Sequence, residues 1–404
     1  MNALNPSQIR ESNNATKIVR AAQDGSRVAG LTHNFYRYPA RFSPVFVRSV
    51  IEAYTQPGDW VIDPFAGGGT TLVEALALGR NALGIDISSL ATFVSEAKTQ
   101  QLSDADVAAF DRWRARLPDT INMHAPGQRS DSYADAGYYR NLEGPEFWRL
   151  RKAIEQCIAS VERLCCNGAH ILARCVVLKT AQWALDSRKT RPSVARFKSE
   201  LIKQAGVMLD GALGLRSSIE QLDLPARPQA ISIHRTTAGA ELEDAVQSVC
   251  PPKLILTSPP YPGIHVLYHR WQVDGRKEAP APFWIAGKLD GAGLSYYTMG
   301  DRKNPGLKSY FDNLETSFRS IAAMAGPDTI IVQMVAFSEP DWQLPRYLEV
   351  MQACGLEEHV AWGIADGDSR LWRDVPNRKW HAQQKARAPG AREVVLVHRL
   401  AENA

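Results

Sequence analysis

Short apolar runs and stretches of helical periodicity alternate along most of this chain. Continuous aliphatic and β-branched runs are typical of buried strands, and apolar residues spaced three and four apart are typical of amphipathic helices. Strands are predicted at Ala230–His234, Leu254–Thr257, Thr329–Val335, His359–Ile364 and Glu393–His398. Helices are predicted at Val45–Tyr54, Leu90–Thr99 and Leu344–Cys354. This alternation favours an α/β fold.

One long block departs from the alternation. Residues 103–225 have mostly helical periodicity, with helices predicted at Glu146–Glu162, His170–Leu185 and Val194–Leu213. We therefore predict a polar amino-terminal arm at 1–30, one domain formed by 31–102 and 226–404, and a helical insertion at 103–225.

A glycine-rich loop joins the first predicted strand to a helix at residues 61–70, VIDPFAGGGT. The next strand ends at Asp86, and an acid at this point of a βαβ unit suits ribose hydroxyls. A phosphate-binding P-loop would have lysine where Thr70 stands, and the dinucleotide fingerprint would have a third glycine where Leu72 stands. Asp63 would repel a pyrophosphate but would attract an ammonium group.

A second motif, Ser258-Pro259-Pro260-Tyr261, directly follows the predicted strand at 254–257. Neither proline can donate to a sheet ladder, so the strand must end in a rigid turn at the carboxyl edge of the sheet, where open α/β folds bind ligands. The turn offers a hydroxyl, carbonyls and an aromatic face, the groups needed to hold a planar ring with an amino group. Taken alone, the prolines are also compatible with an ordinary strand exit.

Together the motifs resemble those of the S-adenosylmethionine-dependent DNA amino-methyltransferases of the TSPPY type, which modify N4 of cytosine or N6 of adenine. Residues 33–42, HNFYRYPARF, resemble the amino-terminal cofactor motif of this family. The family more often has serine where Gly68 stands. The resemblance covers roughly residues 31–90 and 250–263. It implies a Rossmann-like class I methyltransferase fold with a central, mostly parallel seven-stranded sheet and a large helical insertion.

The resemblance also implies roles for individual residues. Asp63 would bind the methionyl ammonium of S-adenosylmethionine, and Asp86 would bind the ribose hydroxyls. The other implied cofactor-binding residues are Pro39, Phe42, Phe65, Gly67, Gly69 and Thr70. The implied catalytic residues are Ser258, Pro259, Pro260 and Tyr261. For His33, a ligand contact and a capping or core role both stay open.

The reaction follows from the groups in the turn. An exocyclic amine is a poor nucleophile because its lone pair is delocalised, and hydrogen bonds to Ser258 and to the Pro259 carbonyl would direct that lone pair outward. Transfer from a sulfonium then needs mostly positioning, so no metal is expected. The base must be flipped out of the duplex, and Tyr261 would stack on it. Serine at the head of the turn is similar to the cytosine-N4 branch, with adenine N6 as the alternative.

The cofactor motifs come first, the helical block follows, and the catalytic turn comes last. This order resembles the class of amino-methyltransferases in which the target-recognition region lies between the two groups of motifs. We therefore predict that residues 103–225 bind double-stranded DNA and help to select its sequence, with a purely stabilising lid as the alternative. The cations predicted to contact DNA are Arg188, Lys189, Arg191, Arg196 and Lys198. A second basic cluster lies at 370–392, and either cluster could be a solvated face.

The composition restricts the remaining possibilities. The formal net charge of +4 is too small to identify a nucleic-acid partner by itself, and the six cysteines show no Cys-x-x-Cys spacing typical of zinc sites. With no long apolar run and no apolar core near residue 1, we expect a cytoplasmic, nucleoid-associated prokaryotic protein. An RNA methyltransferase, a non-catalytic DNA-binding relative and a restriction-endonuclease or defence-system partner stay open.

Overall fold

The computed structural model describes residues 6–38, 42–126, 129–262, 270–275, 277–291, 297–300, 305–359, 369–374 and 392–402. In these ranges the strands are β1 Trp60–Asp63, β2 Asn81–Asp86, β3 Ala230–His234, β4 Leu254–Thr257, β5 Trp271–Val273, β6 Lys277–Ala279, β7 Ile330–Ala336, β8 Leu356–Glu358, β9 Leu371–Asp374 and β10 Arg392–Leu400. The helices are α1 Pro6–Ala22, α2 Pro44–Tyr54, α3 Thr70–Ala77, α4 Ser89–Thr99, α5 Asp104–Thr120, α6 Asp131–Asp135, α7 Trp148–Val161, α8 Asn167–Leu185, α9 Val194–Glu220, α10 Asp244–Gln247, α11 Ala281–Ala286, α12 Lys308–Met324 and α13 Pro340–Ala353.

The main sheet has the strand order β3-β2-β1-β4-β7-β10-β8, and β9 pairs with β10 beside this path. Strands β3, β2, β1, β4 and β7 are parallel, and β10 is antiparallel to its neighbours. The predicted Rossmann-like α/β class is confirmed, with seven strands along the path and β9 as an eighth. The order reverses between β1 and β4, and open α/β sheets bind ligands at such a switch point.

Alternate residues of each central strand bury opposite faces of the sheet. In β4, Leu254 and Leu256 pack with α1 and α2, whereas Ile255 packs with α12 and α13. Because both faces are covered, the strand is apolar throughout, as its sequence predicted. The two layers of helices leave the carboxyl edge of β1 and β4 as the position for a site.

Helices α5 to α9 lie in the block where helical periodicity predicted them. Their buried residues share one apolar core with α4 and α11 and with aromatic residues such as Phe35 and Tyr36. The rings of Tyr139 and Trp284 lie 4.5 Å apart between centroids within this core. The helical block is therefore continuous with the packing beside the sheet.

Two parts of the chain differ from the predicted elements. Within the segment predicted as a polar arm, α1 packs Ile18 and Ala22 against α2, because apolar residues recur there at helical spacing. The strand predicted at His359–Ile364 is wrong in its start, because β8 begins directly after Gly355 and ends at Glu358. Residues 360–364 lie outside the described residues. No helix in the described ranges is both long and apolar enough to cross a bilayer.

Candidate active site

The two sequence motifs meet at the switch point through the carboxylate of Asp63. The Thr257 hydroxyl, at the end of β4, donates to Asp63 Oδ1 at 2.8 Å. The Thr71 hydroxyl, in the first turn of α3, donates to Asp63 Oδ2 at 2.7 Å, and the Phe65 amide donates to Oδ1 at 3.2 Å. Asp63 thus joins the glycine loop, α3 and the strand that leads into the Pro-Pro turn.

The glycine loop needs glycine at two of the predicted positions. Gly67 and Gly69 have φ angles of 48° and 71°, in the left-handed region that side chains disfavour. A Cβ atom on Gly69 would also lie 2.6 Å from Ser95 Oγ of α4. The loop is therefore bare and close-packed, and Thr70 follows it as the first residue of α3.

Asp86 lies next to this loop at the end of β2. Its Oδ2 accepts from the Gly67 amide and its Oδ1 accepts from the Ser88 amide, each at 2.8 Å. Burial raises the pKa of Asp86 to about 6, against the lowering effect of these hydrogen bonds. Burial likewise raises the pKa of Asp63 to about 6, although its hydrogen bonds lower it. Two carboxyls with raised pKa values in one cleft are typical of a functional site.

The polar groups beside the glycine loop fit S-adenosylmethionine better than a phosphate ligand. Two carboxylates can accept from an ammonium and from ribose hydroxyls, and the bare loop allows close approach of a ligand to the backbone. Phe65 is half-buried beside the loop. Phe42 is buried and packs on Phe46, with ring centroids 6.0 Å apart, and Pro39 lies outside the described residues.

Sequence reasoning did not identify Lys98 and Tyr38 as residues that pack against the glycine loop. Lys98 of α4 is fully buried, and its Nζ donates to the Gly68 carbonyl at 2.5 Å. A Cβ atom on Gly68 would lie 3.1 Å from Tyr38 Cβ, so the serine common in the family would be crowded here. Lys98 follows Val94 on the buried face of the helix, and this pattern could have identified it.

His33 contacts the protein core. Its Nε2 lies 2.7 Å from Glu74 Oε1, and both side chains are buried. Arg48 Nε donates to the other oxygen of Glu74 at 2.8 Å. This arrangement supports the core alternative for His33.

The Ser-Pro-Pro-Tyr turn is held at three points. Besides the Thr257–Asp63 contact, the Tyr310 hydroxyl of α12 donates to the Pro260 carbonyl at 2.8 Å. The Tyr261 hydroxyl donates to Glu393 Oε1 of β10 at 2.9 Å. The turn is therefore fixed from β1, α12 and β10.

Two polar groups of the turn have no hydrogen-bonding partner among the described residues. Across the described residues, no protein group hydrogen-bonds to the half-buried Ser258 hydroxyl or to the Pro259 carbonyl. By contrast, the Pro260 carbonyl is already used by Tyr310. The two acceptors predicted to hold an amine are thus the two that the described protein contacts do not use.

The basic segment at the end of α8 contacts β5 and the amino-terminal motif. The Ser187 amide donates to the Gln272 carbonyl of β5 at 2.7 Å, and Arg37 of the amino-terminal motif pairs with Asp186 at 2.8 Å. This segment therefore lies between the hairpin that follows the turn and the amino-terminal motif.

The predicted DNA-contacting cations fall into two groups. Arg188 donates to the Trp183 carbonyl and lies over the Trp183 ring at 4.3 Å, and Arg191 pairs with Asp274 at 3.1 Å. Within the described ranges, no carboxylate lies within ion-pair distance of the other three cations, Lys189, Arg196 and Lys198.

Two cations of the second basic cluster, Arg370 and Arg373, are paired with carboxylates. Arg370 forms a two-pronged pair with Glu358, with both contacts at 2.7 Å, and Arg373 forms a buried pair with Glu393. The charges of these two residues are therefore balanced within the protein. Residues 375–391 lie outside the described residues.

The comparisons with known proteins place the cofactor motifs in a family. The model of the DNA methylase family matches residues 6–94. The Type II methyltransferase M.MjaII of Methanocaldococcus jannaschii is 39% identical over 69 residues, which are 17% of this chain and 13% of that protein. M.BsoBI of Geobacillus stearothermophilus, also a Type II methyltransferase, is 41% identical over 68 residues, again 17% of this chain and 13% of that protein.

The DNA adenine methyltransferase YhdJ of Escherichia coli K12 is 37% identical over 76 residues, 19% of this chain and 26% of that protein. A solved rRNA methyltransferase, aviRa from Streptomyces viridochromogenes, aligns over 92% of this chain and 90% of its own, but its 10% identity and TM-score of 0.36 are too low to support a conclusion. Residues 6–94, which carry the glycine loop and the amino-terminal motif, thus match the DNA methylase family, in agreement with the resemblance seen in the sequence.

Proposed function

We propose that this protein transfers a methyl group from S-adenosylmethionine to the exocyclic N4 of cytosine in duplex DNA. The observation that carries the proposal is the meeting of the glycine loop and the Ser-Pro-Pro-Tyr turn at the switch point, through the Thr257–Asp63 hydrogen bond of 2.8 Å. A ligand in the cleft would lie beside both motifs. The matched segment covers only about an eighth of the first two relatives, so the activity rests on this geometry as well as on the family.

On the cofactor side, the acids at the ends of β1 and β2 would hold the ligand. Asp63 would accept from the ammonium and Asp86 from the ribose hydroxyls, with Gly67, Gly69 and Thr70 forming the surface between them. S-Adenosylmethionine supplies an electrophilic methyl group on a sulfonium. Holding the two reactants in line is the main task left to the protein.

On the base side, the turn would bind the amine and the ring. The Ser258 hydroxyl and the Pro259 carbonyl would each accept a hydrogen bond from the amine, which favours a pyramidal nitrogen with its lone pair available. Flipping the base costs a few kcal/mol. Stacking on Tyr261 would return roughly 1–3 kcal/mol.

The choice of base is tested directly by mass spectrometry. After incubation of unmethylated bacterial genomic DNA with the protein and S-adenosylmethionine, the nucleosides are expected to include N4-methylcytosine. Serine at position 258 supports this choice over adenine. N6-methyladenine would assign the protein to the other branch, and methylation of transfer RNA but not of DNA would contradict the proposal.

We propose further that the start of α9 and the loop before it bind the DNA backbone. Changing Lys189, Arg196 and Lys198 together to glutamate should weaken DNA binding and reduce the magnitude of its salt slope by roughly 2 to 3, because each phosphate contact contributes about 0.9. Fluorescence anisotropy over a range of salt concentrations measures both quantities.

The matched control reverses three exposed cations at the opposite edge of the sheet. Arg227, Lys253 and Arg399 lie next to the amino ends of β3 and β4 and at the distal end of β10. Their change to glutamate alters the net charge equally but should leave the salt slope unchanged. Equal effects of the two triple variants would leave only a general charge effect and would contradict the assigned interface. As an extension of the proposal, the protein would act in the cytoplasm within a restriction–modification system, with an endonuclease as its partner.

A further inference from the structure

The tyrosine of the turn is bound to a carboxylate that is far away in the sequence. The Tyr261 hydroxyl donates to Glu393 Oε1 at 2.9 Å, and 132 residues separate the two positions. Glu393 is the second residue of β10, and its side chain is buried. A buried carboxylate needs partners, because an unpaired one is strongly disfavoured.

Arg373 supplies the other partner of this carboxylate. It lies opposite Glu393 in the β9–β10 register, so both side chains are on one face of the sheet. Its Nε and Nη2 lie 2.7 and 2.6 Å from Glu393 Oε2, and its Nη1 donates to the Ala22 carbonyl at the end of α1 at 3.4 Å. One carboxylate oxygen is thus held by the guanidinium, and the other is directed at Tyr261.

The neighbouring ion pair shows what a purely structural pair looks like. Arg370 and Glu358 also form a two-pronged contact near the same edge, between the start of β9 and the end of β8. Neither of the carboxylate oxygens in that pair contacts the turn among the described contacts. Holding the sheet edge therefore does not require a carboxylate that binds a tyrosine.

We propose that Glu393, held by Arg373, is a positioning residue that sets the ring of Tyr261 against the flipped base. The backbone before Tyr261 is restricted by two prolines, and the hydroxyl contact with Glu393 acts together with packing of the ring to set its direction. A ring that points elsewhere cannot stack on a base presented to Ser258. This inference deepens the proposed function and rests on it.

The test separates the role of Glu393 as a hydrogen-bond acceptor for Tyr261 from its role in the buried ion pair with Arg373. A single change at Glu393 would leave Arg373 buried without its partner and could unfold the protein. Both charges are therefore removed together. The variant Arg373→Met, Glu393→Gln keeps an oxygen for Tyr261, whereas Arg373→Met, Glu393→Leu does not. Each is made with the natural Tyr261 and with Tyr261→Phe.

Transfer of a labelled methyl group to unmethylated bacterial genomic DNA gives kcat and KM for the four proteins. With Tyr261 present, the Leu variant should have a kcat about tenfold below the Gln variant, the expected effect of losing the hydrogen bond from the Tyr261 hydroxyl. In the Tyr261→Phe background the difference should disappear. The cofactor Kd, measured by calorimetry, should be the same for the Gln and Leu variants.

An equal difference in both backgrounds, or no difference in either, would overturn the inference while the proposed function stands. If the wild-type protein binds the cofactor but methylates no DNA, the proposed function fails and the inference fails with it. The control Arg370→Met, Glu358→Leu removes the neighbouring pair and should leave kcat within about twofold. Thermal unfolding of every variant shows whether a loss of kcat follows a loss of stability.

Discussion

Replacing Asp63 with alanine is expected to abolish measurable binding of S-adenosylmethionine, a loss of at least about a hundredfold. The change removes the proposed acceptor of the ammonium and leaves the Thr71 and Thr257 hydroxyls without the carboxylate that orients them. Calorimetry with the cofactor measures the effect, and Asp63→Asn, which keeps the size of the side chain, separates loss of charge from loss of packing.

A carboxylate at the other end of the same strand provides the control. Asp59 precedes β1 and accepts from the Gln56 amide at 2.7 Å, so Asp59→Ala removes one acid from the opposite edge of the sheet. Its cofactor affinity should stay within about threefold of the wild type. Unchanged affinity in Asp63→Ala would remove this residue from the cofactor site.

The same assignment predicts how cofactor affinity depends on pH. The pKa of Asp63 and of Asp86 is raised to about 6 in the protein without cofactor, and an ammonium ligand favours the ionised carboxyl. Below pH 6, binding must expel a proton, so affinity should fall by up to tenfold per pH unit for each carboxyl that must ionise. Above pH 7 this dependence should disappear. Asp63→Asn should make the dependence less steep.

Ser258→Ala is expected to lower the rate of methyl transfer by about a hundredfold, the scale of losing one oriented hydrogen bond at a reacting group. Cofactor affinity and thermal stability should stay near the wild-type values, because the hydroxyl has no hydrogen-bonding partner within the described part of the protein. Single-turnover transfer of a labelled methyl group to bacterial genomic DNA measures the rate of the chemical step.

Ser248→Ala is the matched control for this change. Ser248 lies before β4, and its hydroxyl donates to the Ala245 carbonyl at 2.9 Å, away from the turn. It should transfer methyl groups at the wild-type rate. A Ser258→Ala protein as fast as the control would show that the hydroxyl does not bind the amine.

The local patterns in the sequence predicted most of the elements and both halves of the candidate site. Apolar runs identified β4 and β10, helical spacing identified α7 to α9, and the two motifs identified the loop and the turn at adjacent strand ends. Each of these signals is contained in a few neighbouring residues, so tertiary packing did not need to be known.

The contacts that hold the site could not be predicted in this way. Glu393 and Tyr310 reach the turn from distant parts of the chain, and no local signal pairs them with it. The charge count at 370–392 could not reveal the ion pairs either, because the partner carboxylates Glu358 and Glu393 lie outside that window. The Arg373–Glu393 pair depends on the register of β9 with β10.

The shared core of the helical block limits how far this block could be exchanged for another one. Residues of α5 to α9 share one apolar core with α4, the helix against which the glycine loop packs. Grafting a foreign block at 103–225 would therefore leave a cavity or a clash beside the cofactor cleft. Chimaeras made by wholesale exchange should be inactive, and the proposed DNA contacts of α9 are better altered through point changes on its solvent face.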